Sequence, residues 1–172
     1  VVAGVTKPHI SQLISQTDWV KRGDNLLLFG ASGIGKTHLA SSIGYGLIEA
    51  GIRVKFVAAT ARVQSLQRAK EGLRLSDALA RLDKYDVLII DDLGYVRKTE
   101  QESSVLFELI AHRYERLSLV ITSNQDFEHW DKLFEDTIMT VAAIDRLVHH
   151  ATILQCMGES YRRKTLLKKQ TA

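Results

Sequence analysis

Two groups of residues in this chain are suited to chemistry by type and spacing. The first is Gly30-Ala31-Ser32-Gly33-Ile34-Gly35-Lys36-Thr37, which fits the pattern G-x-x-x-x-G-K-[ST] of a phosphate-binding loop. A nucleoside triphosphate is a dense anion, and such a loop wraps it with backbone N–H groups. Glycines permit the positive φ angles and the close approach that this wrapping needs. A helix starting at the loop's end turns its unpaired N–H groups and partial positive charge toward the phosphates. Lys36 supplies a cation for the β- and γ-phosphates, and the Thr37 hydroxyl is placed to ligate Mg²⁺. Gly30, Ala31, Ser32, Gly33, Ile34, Gly35, Lys36, Thr37 and the following His38 are the expected nucleotide-binding set.

The second group is Asp91-Asp92, behind the apolar run Val87-Leu88-Ile89-Ile90. Apolar residues closed by two acids read as a buried parallel strand ending at a metal site. An unpaired buried carboxylate is costly, so an acid there calls for a cation. Asp91 is assigned to Mg²⁺ through a water, and Asp92 to polarising the attacking water. A further polar group, Thr122-Ser123-Asn124, ends the run Leu117-Ser118-Leu119-Val120-Ile121. In a P-loop sheet this position lies beside the first and third strand ends, where Asn124 can orient the water or touch the γ-phosphate. The bland alternative is a turn-forming Asn.

The elements that must position these groups alternate. Leu26-Leu27-Leu28-Phe29 reads as a strand, and Leu39, Ile43, Leu47 and Ile48 recur at helical spacing up to Gly51. Val54-Lys55-Phe56-Val57-Ala58 reads as a second strand. Thr60 is expected to cap a helix over 61–70, and Ser76 a shorter one containing Ala78, Leu79 and Leu82. Residues 100–116 read as an amphipathic helix. A helix over 137–149 is expected to bury Val141, Ile144, Leu147 and Val148, leaving Arg146 free to project. Residues 151–156 read as a fifth strand, and 8–17 as an opening helix with Pro8 near its start. Ile10 or Trp19 either lines an adenine pocket or anchors the core. Strands alternating with helices predict an α/β fold with a five-stranded parallel sheet sandwiched by helices.

The 172 residues fit one domain, and the net charge of +3 permits contact with nucleic acid without requiring it. Cys156 is the only cysteine, so a disulfide within the chain is excluded and a reducing, cytoplasmic setting is expected. No apolar run is long enough to cross a membrane. His149-His150 is not expected to bind metal, since adjacent side chains diverge on a helix and no other ligand has suitable spacing. Arg62, Arg68, Lys70 and Arg74 form a basic group between the second and third strands. Arg162, Arg163, Lys164, Lys168 and Lys169 make a basic tail that reads most simply as a solvated helix face.

Taken in order, the Walker-type loop, Ile-Ile-Asp-Asp-Leu-Gly, Ile-Thr-Ser-Asn and Asp-Arg-Leu resemble the initiator branch of the AAA+ ATPases. That branch includes the initiator DnaA and the helicase loader DnaC. The closing segments Asp145-Arg146-Leu147-Val148-His149-His150-Ala151 and Gly158-Glu159-Ser160-Tyr161-Arg162 resemble the IstB-type transposition helpers of bacterial insertion sequences. The resemblance implies an AAA+ core forming a single domain over 1–172, with ATP and Mg²⁺ as ligands. It puts Lys36 and Thr37 in Walker A, Asp91 and Asp92 in Walker B, and Asn124 at sensor 1. It makes Arg146 an arginine finger toward a neighbouring subunit, and Arg162 a second sensor arginine. The interval from Arg146 to Arg162 leaves little room for a helical lid, which is expected to be short or absent. Asp92 stands where many relatives carry Glu, so hydrolysis is expected to be slow or dependent on assembly.

The implied function is an ATP-dependent helper for transposition. It forms homo-oligomers with ATP sites between subunits, holds duplex DNA without sequence preference, and recruits or stimulates a transposase. The alternative is a replicative helicase loader of the DnaC type. A small-molecule kinase is disfavoured, since neither an arginine-bearing lid nor an acceptor pocket is recognisable. The family's N-terminal DNA-binding region is not recognisable in a chain starting at Val1, so the chain is expected to be a fragment.

Overall fold

The structure is a computed structural model that describes residues 2–94, 99–132, 134 and 136–157. Its centre is a parallel sheet of β1 (Val2–Gly4), β2 (Asn25–Phe29), β3 (Val54–Ala58), β4 (Val87–Leu93), β5 (Ser118–Ser123) and β6 (Ala151–Gln155). The six strands lie in the order β1-β6-β2-β5-β4-β3. The five expected strands are all present. The sixth, β1, pairs Val2 with Ile153 at the sheet edge. Three residues before a helix carry too little periodicity to announce themselves as a strand.

Strand side chains alternate between two cores, as a period of two requires. Leu26, Leu28, Val87, Ile89 and Val120 face one side, packing with Trp19, Val20, Ala40, Ile43 and Leu47. Leu27, Phe29, Leu88, Ile90, Leu119 and Ile121 face the other. Both faces of β2 and β5 are buried throughout, which is why these strands read as continuous apolar runs.

The first layer holds α1 (Lys7–Ser15), the short α2 (Asp18–Lys21) and α3 (Lys36–Glu49); the second holds α4 (Ala59–Glu71), α5 (Leu75–Leu82), α6 (Glu100–Arg113) and α7 (Thr137–Val148). Gly46 lets α1 approach α3, since a Cβ there would meet Ile14 at 2.7 Å. Thr99 and Glu102 form a reciprocal capping box at the start of α6. The predicted caps at Thr60 and Ser76 do not form: α4 begins earlier, at Ala59, and α5 follows Arg74, neither with a side-chain cap. No helix among the described residues is long and apolar enough to cross a membrane.

Two buried polar side chains bind the layers together. Asn25, at the start of β2, donates to the Leu147 carbonyl of α7 at 3.1 Å and accepts from the Leu119 N–H of β5 at 2.9 Å. Arg113 ends α6 with its guanidinium on the carbonyls of Leu82, Tyr85, Asp86 and Ser118. Burial pushes its pKa down to about 10.

Candidate nucleotide site

Three strands deliver the site at their carboxyl ends. β2 runs into the glycine loop, β4 ends at Asp91 and Asp92, and β5 between them ends at Thr122 and Ser123. This is the edge where open α/β sheets bind ligands. The loop starts at Gly30, with φ 150°, and a Cβ there would overlap the carbonyl oxygen of Cys156. It closes at Gly35, which caps α3 in the left-handed region at φ 99°. No acid occupies the first turn of α3, so its N-terminal field is left for an anion. Behind the loop, Phe29 packs edge-on against Phe127 and Trp130 of the 3-10 turn Phe127–Lys132.

Lys36 is buried, and its Nζ donates to the carbonyls of Gly30 and Ala31 at 2.7 and 2.8 Å. The ammonium thus folds back across the loop it belongs to. Thr37 Oγ1 donates to both Asp91 oxygens, at 3.1 and 3.0 Å. Asp91 also accepts from Thr122 Oγ1 at 2.6 Å, and that same Thr122 oxygen accepts from the Asp92 N–H at 2.8 Å. Ser32 to His38, Asp91, Asp92 and Thr122 line a cavity of about 730 Å³, within the range of ligand pockets.

The residues fit a magnesium nucleotide. The cradle is glycine-built, it holds a cation, and the Thr37–Asp91 pair offers only hard oxygen donors, as Mg²⁺ prefers. Asp92 is exposed at φ 62°, unusual for a residue other than glycine, where the β4–β5 register shifts. That kink turns its carboxylate off the strand's regular alternation, in line with a role separate from that of Asp91.

Asn124 follows β5 directly, and its Oδ1 is buried without a hydrogen-bond partner among the described residues. Buried polar atoms without partners are few in native folds, so this one stands out, but Asn124 is not among the residues lining the P-loop cavity. Thr122 is the residue that sequence reasoning passed over. It was visible only as a polar interruption at the end of an apolar run.

Trp19 is buried, and its indole N–H donates to the Leu13 carbonyl at 3.0 Å. Neither it nor Ile10 lines the P-loop cavity; Trp19 belongs to the core beside α3 and lines a separate recess with Leu13 and Leu154, and Ile10 packs partly buried against the same core.

The expected stripe on α7 is shifted. Thr140, Ala143 and Leu147 are buried, while Val141 is 63% exposed. Arg146 does not project freely. Its guanidinium lies 5.2 Å from the Phe107 ring and 6.0 Å from the Tyr114 ring, and its Nη1 donates to the Ala142 carbonyl. It sits at the end of the strands away from the chain's own P-loop, five residues before β6 begins.

Of the basic group, Arg68 and Arg74 are exposed, and Lys70 donates to Ser104 at 2.7 Å. Arg62 is half-buried, and burial lowers its pKa. Arg162, the basic tail and any lid lie outside the described residues.

Comparison with known proteins agrees with this geometry. A family model described as "IstB-like ATP binding protein" matches residues 2–169. An insertion sequence ATP-binding protein of Sinorhizobium fredii is 52% identical over 164 residues, covering 95% of this chain and 55% of its own length. The ATP-binding protein of insertion sequence IS21 from Pseudomonas aeruginosa is 41% identical over 146 residues, covering 85% of this chain and 55% of its own length. The chain therefore spans about half the length of these curated relatives. Among solved structures, the DnaC helicase loader superposes with a TM-score of 0.70 at 21% identity, covering 89% of this chain and 92% of that one. At that identity the likeness speaks for the fold alone.

Proposed function

The chain belongs to the IstB-like ATP-binding family, and from that premise we propose that it is the ATPase core of a DNA-binding helper for transposition. The observation that carries the reading is the convergence of Lys36, Thr37, Asp91 and Thr122 at three strand ends, in a chain whose relatives are ATP-binding proteins of insertion sequences. Lys36 leaves the carbonyls of Gly30 and Ala31 for the phosphates. Thr37 and Asp91 would hold Mg²⁺, which would neutralise charge on the phosphates. Asp92 accepts a proton from the attacking water, and Asn124 orients that water. The chain then works as one AAA+ domain of a longer protein.

ATP sites lie between subunits of a homo-oligomer, with Arg146 serving the neighbour's nucleotide. The assembly holds duplex DNA through its phosphates and recruits the transposase. Arg68 and Arg74 supply contacts that are salt-sensitive and blind to sequence.

The test uses the full-length protein with ATP, duplex DNA, the transposase of the same insertion sequence and a replicative helicase. Electron microscopy should show ATP-dependent assemblies on DNA, and the transposase should be retained on them. Replacing Arg68 and Arg74 together with Ala should weaken DNA binding and flatten its salt dependence. Retention of the helicase in place of the transposase would instead establish a helicase loader. A failure to assemble with ATP would overturn the reading.

A further inference from the structure

The strand ends away from the P-loop carry a second cluster of chemistry-bearing side chains. α7 ends at Val148 with His149 as its C-cap, still helical in backbone and with its N–H on the Asp145 carbonyl, and His150 follows in the turn before β6. Their rings do not diverge as a helical pair would: the centroids are 4.1 Å apart. Glu115 reaches both from the turn between α6 and β5. Its Oε1 lies 3.5 Å from His149 Nδ1 and 3.7 Å from His150 Nε2. The three residues offer ligand atoms that all lie within 4.8 Å of one another. Tetrahedral ligands about 2.0–2.1 Å from a zinc ion stand roughly 3.4 Å apart. Small rotations of these exposed side chains bring all three to that spacing.

We propose that Glu115, His149 and His150 bind a divalent transition metal of the zinc class. Two imidazoles and one carboxylate suit zinc, nickel or copper, and are too rich in nitrogen for magnesium or calcium.

Three further observations support the site. No lysine or arginine among the described residues pairs with Glu115. Nearby Arg22 is held by Asp24 at 2.7 Å, and Arg116 by Asp83 at 3.0 Å. The Tyr114 hydroxyl lies 2.7 Å from His149 Nδ1 and has to turn away for that nitrogen to ligate a metal. Glu115 itself has φ 55°. Glycine would take that turn without strain, so the turn alone does not call for a carboxylate. A surface recess lined by Arg22, Asp24, Glu115, His150, Ala151 and Thr152 leaves room for water to complete the coordination.

The experiment is a titration of the tag-free, nucleotide-free protein with Co²⁺, followed by competition with Zn²⁺. One equivalent of Co²⁺ should give the visible absorption of a mixed nitrogen–oxygen site, and Zn²⁺ should displace it. His150→Ala and Glu115→Gly should each weaken binding by about tenfold or more. Glu115→Gly relieves the strained turn, so its loss of metal cannot be ascribed to misfolding. Asp91→Asn should leave the absorption in place. Equal affinity in the wild type and both variants, loss of the signal in Asp91→Asn, or no absorption at one equivalent would each overturn the proposal.

Discussion

Thr122 donates to Asp91 across 2.6 Å while the same oxygen accepts the Asp92 N–H, so one hydroxyl sets both acids of the β4 end. Thr122→Val keeps the shape and removes that bridge. A hydrogen bond to a charged group contributes about 1.5–3 kcal/mol, and the Asp92 N–H is left without its acceptor. The variant should lose about 2 kcal/mol of folding stability. Its nucleotide binding should need roughly tenfold more Mg²⁺, as 1.4 kcal/mol of lost cation affinity implies. Thr122→Ser should restore both. A Mg²⁺ titration of nucleotide affinity decides it, and an unchanged requirement would take Thr122 out of the site.

Asp92→Asn should bind ATP as the wild type does and fail to turn it over, because an amide cannot accept the proton from water. Asparagine tolerates the left-handed conformation as readily as aspartate does. Thermal unfolding should therefore be nearly unchanged, which separates chemistry from folding. Normal phosphate release by Asp92→Asn would place the catalytic base elsewhere.

Arg146→Ala should bind ATP normally and fail to hydrolyse it, at a loss on the order of 10³ in rate. Mixing it with Lys36→Ala should restore part of the activity, since each variant supplies the half-site that the other lacks. The parked position of Arg146 over Phe107 and Tyr114 adds a second expectation. Phe107→Leu removes one ring of that cradle without touching a nucleotide ligand. Its hydrolysis should change while its ATP affinity does not. A mixture that stays inactive would end the trans-acting reading.

Stability toward acid should depend on Asp86. The Arg53 side chain hydrogen-bonds its carboxylate at 2.7 and 3.0 Å and holds its pKa below the ordinary range. As pH falls through the usual aspartate value, about 3.9, the unfolded chain takes up the proton before the folded one. The contribution is therefore complete above that value and is lost as pH falls through the folded value. Asp86→Asn should flatten the acid limb of the melting-temperature profile. With Arg53 largely exposed, the effect should shrink in high salt.

The sequence carried much of the site because its signals are local. The loop, the apolar runs of β2, β4 and β5, and the acids at the end of β4 each announce themselves within a few residues. What it hid depends on how turns and helix ends are oriented. Val141 reads as core because it is apolar, yet the turn of α7 puts Thr140 inward in its place. Arg146 reads as free in the sequence because its partners, Phe107 on α6 and Tyr114 just after it, lie far away along the chain. The closeness of the His149 and His150 rings arises where α7 gives way to β6, an ending that the two histidines do not mark in the sequence. Glu115 reaches that pair only through a left-handed turn, which a glutamate does not advertise.

Asn25 turns β2 into a ruler. Its amide grips the Leu147 carbonyl, next to Arg146, at one end of β2, and the other end of β2 runs directly into the glycine loop. Five residues of strand measure about 17 Å at roughly 3.3 Å each. With both faces of the strand packed, no soft joint lies between the two ends. A push on the end of α7 therefore arrives at the phosphate cradle as displacement rather than as slack. In the assembly proposed above, with Arg146 on the neighbour's nucleotide, the length of this strand would contribute to the distance between successive nucleotides.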